Sequence, residues 1–350
     1  MYGLLVILGV VTLVFFLFNI LPGDPARMML GQRADAESIK IINRDLGRDK
    51  PIGLQFAGYL NDLAPISLHN NKDTLSFWYL DPAKYEPYGT LLKIGGTSVV
   101  AKIPYLRRSY QSKRKVTEVI ATAFPQTAVL ALTAMTFALV VGILLGIVSA
   151  LNKGSWIDRL TLLLSTLGMS LPSFFAAILI AWFFAYILAD VTHLNMFGNL
   201  YTVDDYGSGE YLDLRNLILP ALTLGIRPLA VLVELTKSSM TEALSQDYIR
   251  TAKAKGMSRS RLIFKHALRN ALNPIVTSAS GWLAGLLAGA VFVEYVFDWK
   301  GMGVVIVDGL EKYDFPIVMG AILFICILLI IINIIVDILY GILDPRVRLK

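Results

Sequence analysis

Long apolar stretches are the feature of this sequence that most restricts its fold. Residues 317–343, for example, contain a single charged side chain, Asp337. About 20 consecutive apolar residues in a helix cross the hydrocarbon core of a bilayer. Only 17% of the 350 residues are charged, compared with about 25% in ordinary soluble domains. We therefore predict an all-α integral membrane protein.

Six apolar segments have the length of a membrane-spanning helix: residues 1–20, 116–151, 160–188, 214–235, 274–297 and 317–343. The third is interrupted near Pro172, because proline cannot continue a helix. In the second, Gly142 and Gly146 have the spacing that lets helices approach closely in lipid. This pattern predicts a first transmembrane helix (1–21), a long extracytoplasmic region (22–115) and a five-helix core (116–350).

The charges of the connecting segments predict the topology. Short loops rich in Lys and Arg stay in the cytoplasm. The connector with Lys153 and Arg159, the segment 236–273 and the tail 344–350 are basic, whereas residues 190–214 carry acidic charges only. We therefore expect both termini in the cytoplasm of a multi-pass protein of the cell (inner) membrane.

A cleaved signal peptide is the alternative interpretation of residues 1–20. The segment lacks a basic n-region, and it ends in Leu21-Pro22-Gly23-Asp24-Pro25 rather than in a small-x-small cleavage site. These features favour a first membrane span.

The sequence carries no pattern for chemistry of its own. A Walker A motif, a Gly-x-Ser-x-Gly motif and a metal-binding cluster of histidines are absent. The single cysteine, Cys326, lies in an apolar run and is interpreted as a packing residue. We expect no catalytic residue, no metal and no cofactor.

The basic segment 242–274 has the sequence pattern of two helices. Ser245 is placed to cap a first helix over residues 246–255, and Gly256 to end it. Ser258 is placed to cap a second helix that runs to Pro274. Leu244, Tyr248 and Ala252 share one face at four-residue spacing, and the short side chains at residues 251, 252 and 254 keep the tip slim.

Three interpretations of this segment compete. It could be a basic loop that only sets topology, a helix-turn-helix that binds DNA, or a helix that docks into a groove on a cytoplasmic subunit. Membrane spans close on both sides would hinder docking into a DNA groove.

The segment closely resembles the EAA-type coupling loop of ABC-importer permeases. The resemblance is carried by residues 247–256 (DYIRTAKAKG) and 266–274 (HALRNALNP), in the form found in the dipeptide/oligopeptide/nickel group. Residues 250–252 (RTA) replace the strict Glu-Ala-Ala, while Gly256 is kept. Further similar motifs are residues 21–26 (LPGDPA), residues 235–240 (LTKSSM), the pattern Glu294-x-x-Phe297-x-Trp299-x-Gly301-x-Gly303, residues 314–316 (DFP) and residues 344–346 (DPR).

The resemblance implies a transmembrane subunit of a type I importer, with its coupling loop at residues 236–273. Such a permease pairs with a second, homologous permease. Two ATP-binding subunits hydrolyse ATP below it, and an extracytoplasmic solute-binding protein delivers the substrate, here peptides. The residues matching the coupling motif are Asp247, Tyr248, Arg250, Ala252, Lys255 and Gly256.

Arg227 is the candidate residue for the substrate path. An arginine inside a membrane span is costly and often marks such a path, and the C-terminal carboxylate of a peptide would be a fitting counter-charge. Alternatively, Arg227 satisfies a backbone carbonyl freed by Pro228, or reaches toward water. Asn333 is expected to hydrogen-bond a neighbouring helix, and the row Gly281/Gly285/Gly289 to pack closely against another helix.

The other functions left open are import of nickel or another small solute by the same kind of permease, secondary transport without an ATPase, and regulation of DNA by a membrane-bound protein.

Overall fold

The computed structural model of the protein describes residues 2–20, 39–40, 43, 47–74, 76–203, 209–287 and 290–343. Its helices are α1 (Tyr2–Ile20), α2 (Ile52–Leu63), α3 (Pro82–Tyr85), α4 (Val116–Leu151), α5 (Trp156–Ser170), α6 (Ser173–Ile180, continued by the π-helix Ala181–Ile187), α7 (Ala189–Thr192), α8 (Arg215–Ser245), α9 (Asp247–Ala254), α10 (Arg259–Arg261, continued by the π-helix Leu262–Ala267), α11 (Leu268–Leu287), α12 (Val291–Val296), α13 (Met302–Glu311) and α14 (Phe315–Leu343). Its strands are β1 (Ile66–Asn70), β2 (Tyr88–Ile94), β3 (Thr97–Lys102), β4 (Tyr201–Val203) and β5 (Glu210–Leu212).

Contacts between residues divide the chain into two compact units. The first consists of Met1–Thr122 and Val305–Cys326, and the second of Ala123–Val304 and Ile327–Lys350. The borders fall inside helices α4, α13 and α14, so these helices contribute to both units.

Three helices in the described part of the chain are long and apolar enough to cross a membrane: Val116–Leu151, Arg215–Ser245 and Phe315–Ile338. Helices α5 and α6, with the π-helical extension of α6, meet the same criterion together but are bent by 112°. A shorter apolar helix covers Leu5–Asn19. The second predicted span agrees with α4 at both ends, and the interruption near Pro172 is confirmed. The number of six crossings stays a prediction.

Two predicted spans have different bounds in the structure. Helix α8 does not end at residue 235 but continues to Ser245, because Met240 and Ala243 still face a buried core. The fifth predicted span is not one helix over residues 274–297. Helix α11 already begins at Leu268, and α12 follows Ala290, whose backbone is not helical (φ −87°, ψ 50°).

Two small antiparallel sheets correct the prediction of an all-α fold. Strands β1, β3 and β2 form a three-stranded sheet in that order, and β4 pairs with β5. Apolar runs do not reveal these strands, because both sheets lie in polar sequence regions. Ahead of the first strand, residues 52–63 form the amphipathic helix α2.

The contact between α4 and α8 depends on two glycines. A Cβ atom at Gly142 would lie 3.0 Å from Leu232 Cβ, and one at Gly146 would lie 2.4 Å from Thr236 Cβ. Normal carbon contacts are about 3.5–4.0 Å, so only glycine allows the backbones to come this close. The helix contact predicted from the glycine spacing is confirmed, and its partner is α8.

The first unit is held together by aromatic packing and by one buried carboxylate. Phe15 of α1 stacks on Tyr59 of α2, with ring centres 5.4 Å apart. Asp314, 2% exposed, accepts hydrogen bonds from the backbone N–H of Tyr110 (2.9 Å) and from the hydroxyl of Ser109. The Asp-Phe-Pro motif at the start of α14 therefore anchors the segment that leads into α4.

Candidate functional site

Helix α9 packs against the ends of the membrane helices through two side chains. Ile249 and Ala252 are each 5% exposed. They belong to a buried cluster that includes Ile147 of α4, Met240 of α8 and Ala267 of the π-helix. The cluster fixes α9 against α8, which comes before it in the chain, and against the π-helix Leu262–Ala267, which comes after it.

The structure corrects the predicted cap and face of this helix. Ser245 is the last residue of α8, and its hydroxyl donates to the carbonyl of Glu242. Gln246, with an extended backbone (ψ 152°), separates α8 from α9. The predicted face of Leu244, Tyr248 and Ala252 is divided, because Ala252 is buried whereas Tyr248 is 39% exposed. Ala252 is therefore not part of an exposed tip.

Gly256 ends the helix as predicted. Its φ of +76° lies in the left-handed region, which glycine adopts without steric cost. Its backbone N–H donates to the carbonyl of Lys253 (3.0 Å). Ser258 precedes α10 as predicted, although no cap hydrogen bond from its side chain is found among the described residues. The second helix does not stop at Pro274 but runs on through α11.

The solvent-exposed side of the helix pair forms a basic surface with two aromatic rings. Tyr248 is 39% and Phe264 56% exposed. The exposed charged residues around them are Asp247, Arg250, Lys253, Lys255, Arg259, Arg261 and Lys265. We call this set the coupling surface. Asp247 and Arg250 form an ion pair of 3.2 Å, with side chains 93% and 78% exposed, and an exposed pair of this kind contributes little stability.

Asp158, which the sequence did not single out, connects three segments behind α9. It is 4% exposed and accepts hydrogen bonds from the hydroxyl of Ser149 and the backbone N–H of Gly154. It also pairs with Lys237 of α8. Its partners hold the end of α4 and the start of α5 against α8. The lysine of the LTKSSM motif, Lys237, is therefore part of an internal ion pair.

Arg227 lines a cavity of about 350 Å³ in the second unit. The walls come from α5, α6, α8, α11 and α12, and include Ser173, Thr223, Trp282 and Phe292. The Arg227 side chain is exposed. No hydrogen bond or ion pair links its guanidinium to another described residue, so the structure gives no support to the alternative that it satisfies a carbonyl freed by Pro228.

The other membrane residues singled out in the sequence make none of the expected hydrogen bonds or close helix contacts within the described residues. Asn333 and Asp337 are exposed, and no hydrogen bond of their side chains is found within the described residues. Gly281 and Gly285 are exposed as well, with no atom within 4 Å of an added Cβ, although Gly285 borders the cavity. Gly289 lies outside the described residues.

The pattern Glu294-x-x-Phe297-x-Trp299-x-Gly301-x-Gly303 folds around a buried carboxylate. Glu294 is fully buried and accepts hydrogen bonds from Thr127 Oγ1 and the backbone N–H of Gly303, both 2.7 Å. A Cβ at Gly301 or Gly303 would come within 2.8 Å of that carboxylate. Trp299 Nε1 donates to the carbonyl of Gln126 (3.0 Å). The motif thus fastens the segment before α13 to α4.

Glu294→Ala is expected to destabilise the protein by about 2–4 kcal/mol, because two buried donors lose their charged acceptor. Glu294→Gln, which keeps one acceptor oxygen, is expected to cost less. Thermal unfolding of the detergent-solubilised protein measures both. Glu311→Gln, at an exposed position, is the matched control and is expected to unfold like the wild type. Equal unfolding of all three variants and the wild type would contradict this role of Glu294.

Membrane helices with a polar helix pair packed against their ends, and a cavity bordered by several of these helices, fit a membrane transport subunit. The chain belongs to the family of inner membrane components of binding-protein-dependent transport systems. The family model matches residues 142–349, and the model for the N-terminal part of such membrane components matches residues 1–72.

Curated relatives match almost the whole chain. The di/tripeptide transport system permease protein DppB of Pseudomonas aeruginosa is 34% identical, over 97% of this chain and 94% of its own. The glutathione transport system permease protein GsiC of Pectobacterium atrosepticum is 36% identical, over 98% and 95%. The dipeptide transport system permease protein DppB of Alkalihalophilus pseudofirmus is 32% identical, over 98% and 96%. The resemblance to ABC-importer permeases is confirmed.

A solved structure supports the fold. A chain of the MetNI methionine ABC transporter, in an inward-facing conformation, superposes with a TM-score of 0.51. The match covers 65% of this chain and 97% of the other, at 15% identity. This part of the chain therefore has the fold of an ABC importer permease.

Proposed function

We propose that this chain is the transmembrane subunit of an ABC transporter that imports peptides. The observation that supports this most strongly is the near full-length similarity to permeases of di/tripeptide, dipeptide and glutathione transport systems. The chain would act with a second, homologous permease, two ATP-binding subunits that hydrolyse ATP, and an extracytoplasmic solute-binding protein.

The proposed topology has six spans across the cell (inner) membrane. Both termini lie in the cytoplasm, and residues 22–115 lie on the extracytoplasmic side. The coupling loop, residues 236–273, then lies in the cytoplasm, where ATP-binding subunits are found. Labelling of single cysteines with a membrane-impermeant reagent in whole cells tests this arrangement. A cysteine at exposed Lys113 should react, and one at exposed Lys253 should not.

The coupling surface is proposed to dock on the ATP-binding subunits. When ATP closes these subunits, they move α9 through Tyr248, Arg250 and Lys255. Because Ile249 and Ala252 pack against α4 and α8, the movement passes to the membrane helices and changes access to the pore. ATP-driven uptake by the reconstituted complex, with and without the binding protein, tests the function. Uptake by this chain alone would instead support secondary transport.

Arg227 is proposed to bind the C-terminal carboxylate of a peptide in the cavity. A charge-assisted hydrogen bond is worth about 1.5–3 kcal/mol, so Arg227→Gln is expected to lower uptake of a dipeptide roughly tenfold to a hundredfold. Arg227→Lys, which keeps the charge but not the forked geometry, is expected to lose less. The measurement is the uptake rate in proteoliposomes with saturating binding protein.

A C-terminally amidated dipeptide provides the control for this prediction. It lacks the carboxylate, so the wild type and Arg227→Gln are expected to transport it at equal rates. Undiminished uptake of the free dipeptide by Arg227→Gln would exclude the proposed role.

A further inference from the structure

The three-stranded sheet in the first unit has an unusual distribution of polar and apolar side chains. In β1, Ser67 and His69 are buried at 2% and 1% exposure, whereas Ile66 and Leu68 are 62% and 56% exposed. In β3, Ser98 and Lys102 are buried together with Val100, which packs with Leu80 and Tyr85. Soluble sheets with one solvated face normally bury the apolar side, so β1 is reversed and the inner side of the sheet is mixed.

Hydrogen bonds make the polar interior possible. Ser67 Oγ and His69 Nε2 are 2.9 Å apart, and Lys102 Nζ donates to the backbone carbonyls of Asp62 and Ala64. The hydroxyl of Tyr85 donates to the Asp62 carboxylate (2.8 Å). Among the buried polar atoms of this network in the described residues, only His69 Nδ1 lacks a hydrogen-bond partner, so the polar side of β1 is largely satisfied.

The strand register joins the outward apolar residues into one patch. Val99 of β3 pairs with Leu68 of β1 on one side and with Leu92 of β2 on the other. Leu92 and Ile94 are 53% and 68% exposed, and a register shift between Thr90 and Leu92 leaves Leu91 58% exposed as well. We call Ile66, Leu68, Leu92, Ile94 and Val99 the outward face. Within the described residues, no element covers it.

The composition of the outward face distinguishes lipid from a protein partner. Protein docking surfaces are enriched in Tyr, Trp and Arg, which supply most of the binding energy. The outward face is aliphatic, and the polar residues Asn70 and Thr97, which share its side of the sheet, lie at one end. Aliphatic residues are those that favour the apolar zone of a bilayer most.

The position of the sheet agrees with a lipid contact. Helix α2 packs on the apolar helix α1 through Phe15 and Tyr59, and only Ala64 and Pro65 separate α2 from β1. The sheet therefore starts next to a membrane helix.

We propose that the outward face rests on the bilayer surface, with its aliphatic side chains among the lipids. The three-stranded sheet is then a membrane-surface element of this chain.

Spin labels on single cysteines test the proposal in the full-length protein. In a Cys326→Ala background, Leu68→Cys and Leu92→Cys are labelled with a nitroxide, and the protein is reconstituted into nanodiscs that contain phosphatidylglycerol. Lys93→Cys, on the opposite side of β2, is the matched control. Collision of each label with oxygen, which concentrates in lipid, is compared with collision with a water-soluble nickel chelate.

The proposal predicts that labels at positions 68 and 92 collide several-fold more with oxygen than with the chelate, and that the label at position 93 shows the reverse. Strong collision with the chelate at positions 68 and 92 would mean that the face is in water. Weak collision with both reagents would mean that protein covers it. Either of these two results overturns the proposal.

Discussion

The variant Ala252→Phe is expected to insert into the membrane normally and to lose at least about nine-tenths of ATP-driven uptake. Ala252 is 5% exposed in the cluster that joins α9 to α4 and α8. Extra volume in a packed core costs about 1–3 kcal/mol, and the strain is relieved when α9 moves away. A displaced α9 no longer transmits the movement of the ATP-binding subunits. Uptake by the reconstituted complex measures this effect.

Ala254→Phe is the control on the same helix, because Ala254 is exposed. Ala252→Phe is expected to lower the unfolding temperature of the solubilised protein, whereas Ala254→Phe is not. Gly256→Leu should lose less stability than Ala252→Phe. A left-handed backbone conformation costs a residue with a side chain about 1–2 kcal/mol. Wild-type uptake together with wild-type unfolding of Ala252→Phe would refute the role given to this residue.

Gly146→Ala is expected to destabilise the protein strongly, although it adds only a single methyl group. The new Cβ would lie 2.4 Å from Thr236 Cβ and 2.9 Å from the carbonyl oxygen of Val233. Because the latter atom belongs to the backbone of α8, the whole helix has to shift. We expect a loss of about 3 kcal/mol, the upper end of the usual cost of overpacking.

Two other glycines complete a graded series. At Gly142 the nearest atom to an added Cβ is 3.0 Å away, so Gly142→Ala is expected to cost less than Gly146→Ala. At Gly9 no atom lies within 4 Å, and alanine is preferred over glycine in a helix by about 1 kcal/mol. Gly9→Ala should therefore be neutral or stabilising. An order of unfolding temperatures other than Gly9→Ala, Gly142→Ala, Gly146→Ala, from highest to lowest, would contradict the observed helix contact.

The sequence predicts the long helices well because their signals are local. Residues 116–151 end at a polar, glycine-containing connector, and the chain has to bend at Pro172. The sheets are harder to predict. The alternation Ile66-Ser67-Leu68-His69 is compatible with a strand, but it would normally place the aliphatic residues inside. The observed orientation goes with hydrogen bonds of Asp62 and Lys102, which lie in other segments.

For the candidate site, the sequence identified the segment but not its internal contacts. The motif around α9 and the stop at Gly256 follow from residue types. Ala252 is buried because α8 continues to Ser245. The length of the apolar run in the sequence does not predict this continuation. Likewise, Asp158 and Glu294 act on partners far along the chain, such as Lys237 and Thr127, and no spacing rule connects such residues.

The length of α8 has a mechanical consequence. Its close contacts with α4 run from Gly225, where an added Cβ would lie 2.8 Å from the carbonyl oxygen of Ala134, to Thr236 beside Gly146. About 17 Å of α8 is thereby fixed to α4, at 1.5 Å per residue, and Lys237 adds its ion pair with Asp158. We therefore expect a push on α9 to move α8 and α4 together as one lever. The cavity would then change shape mainly through its other walls, α6, α11 and α12.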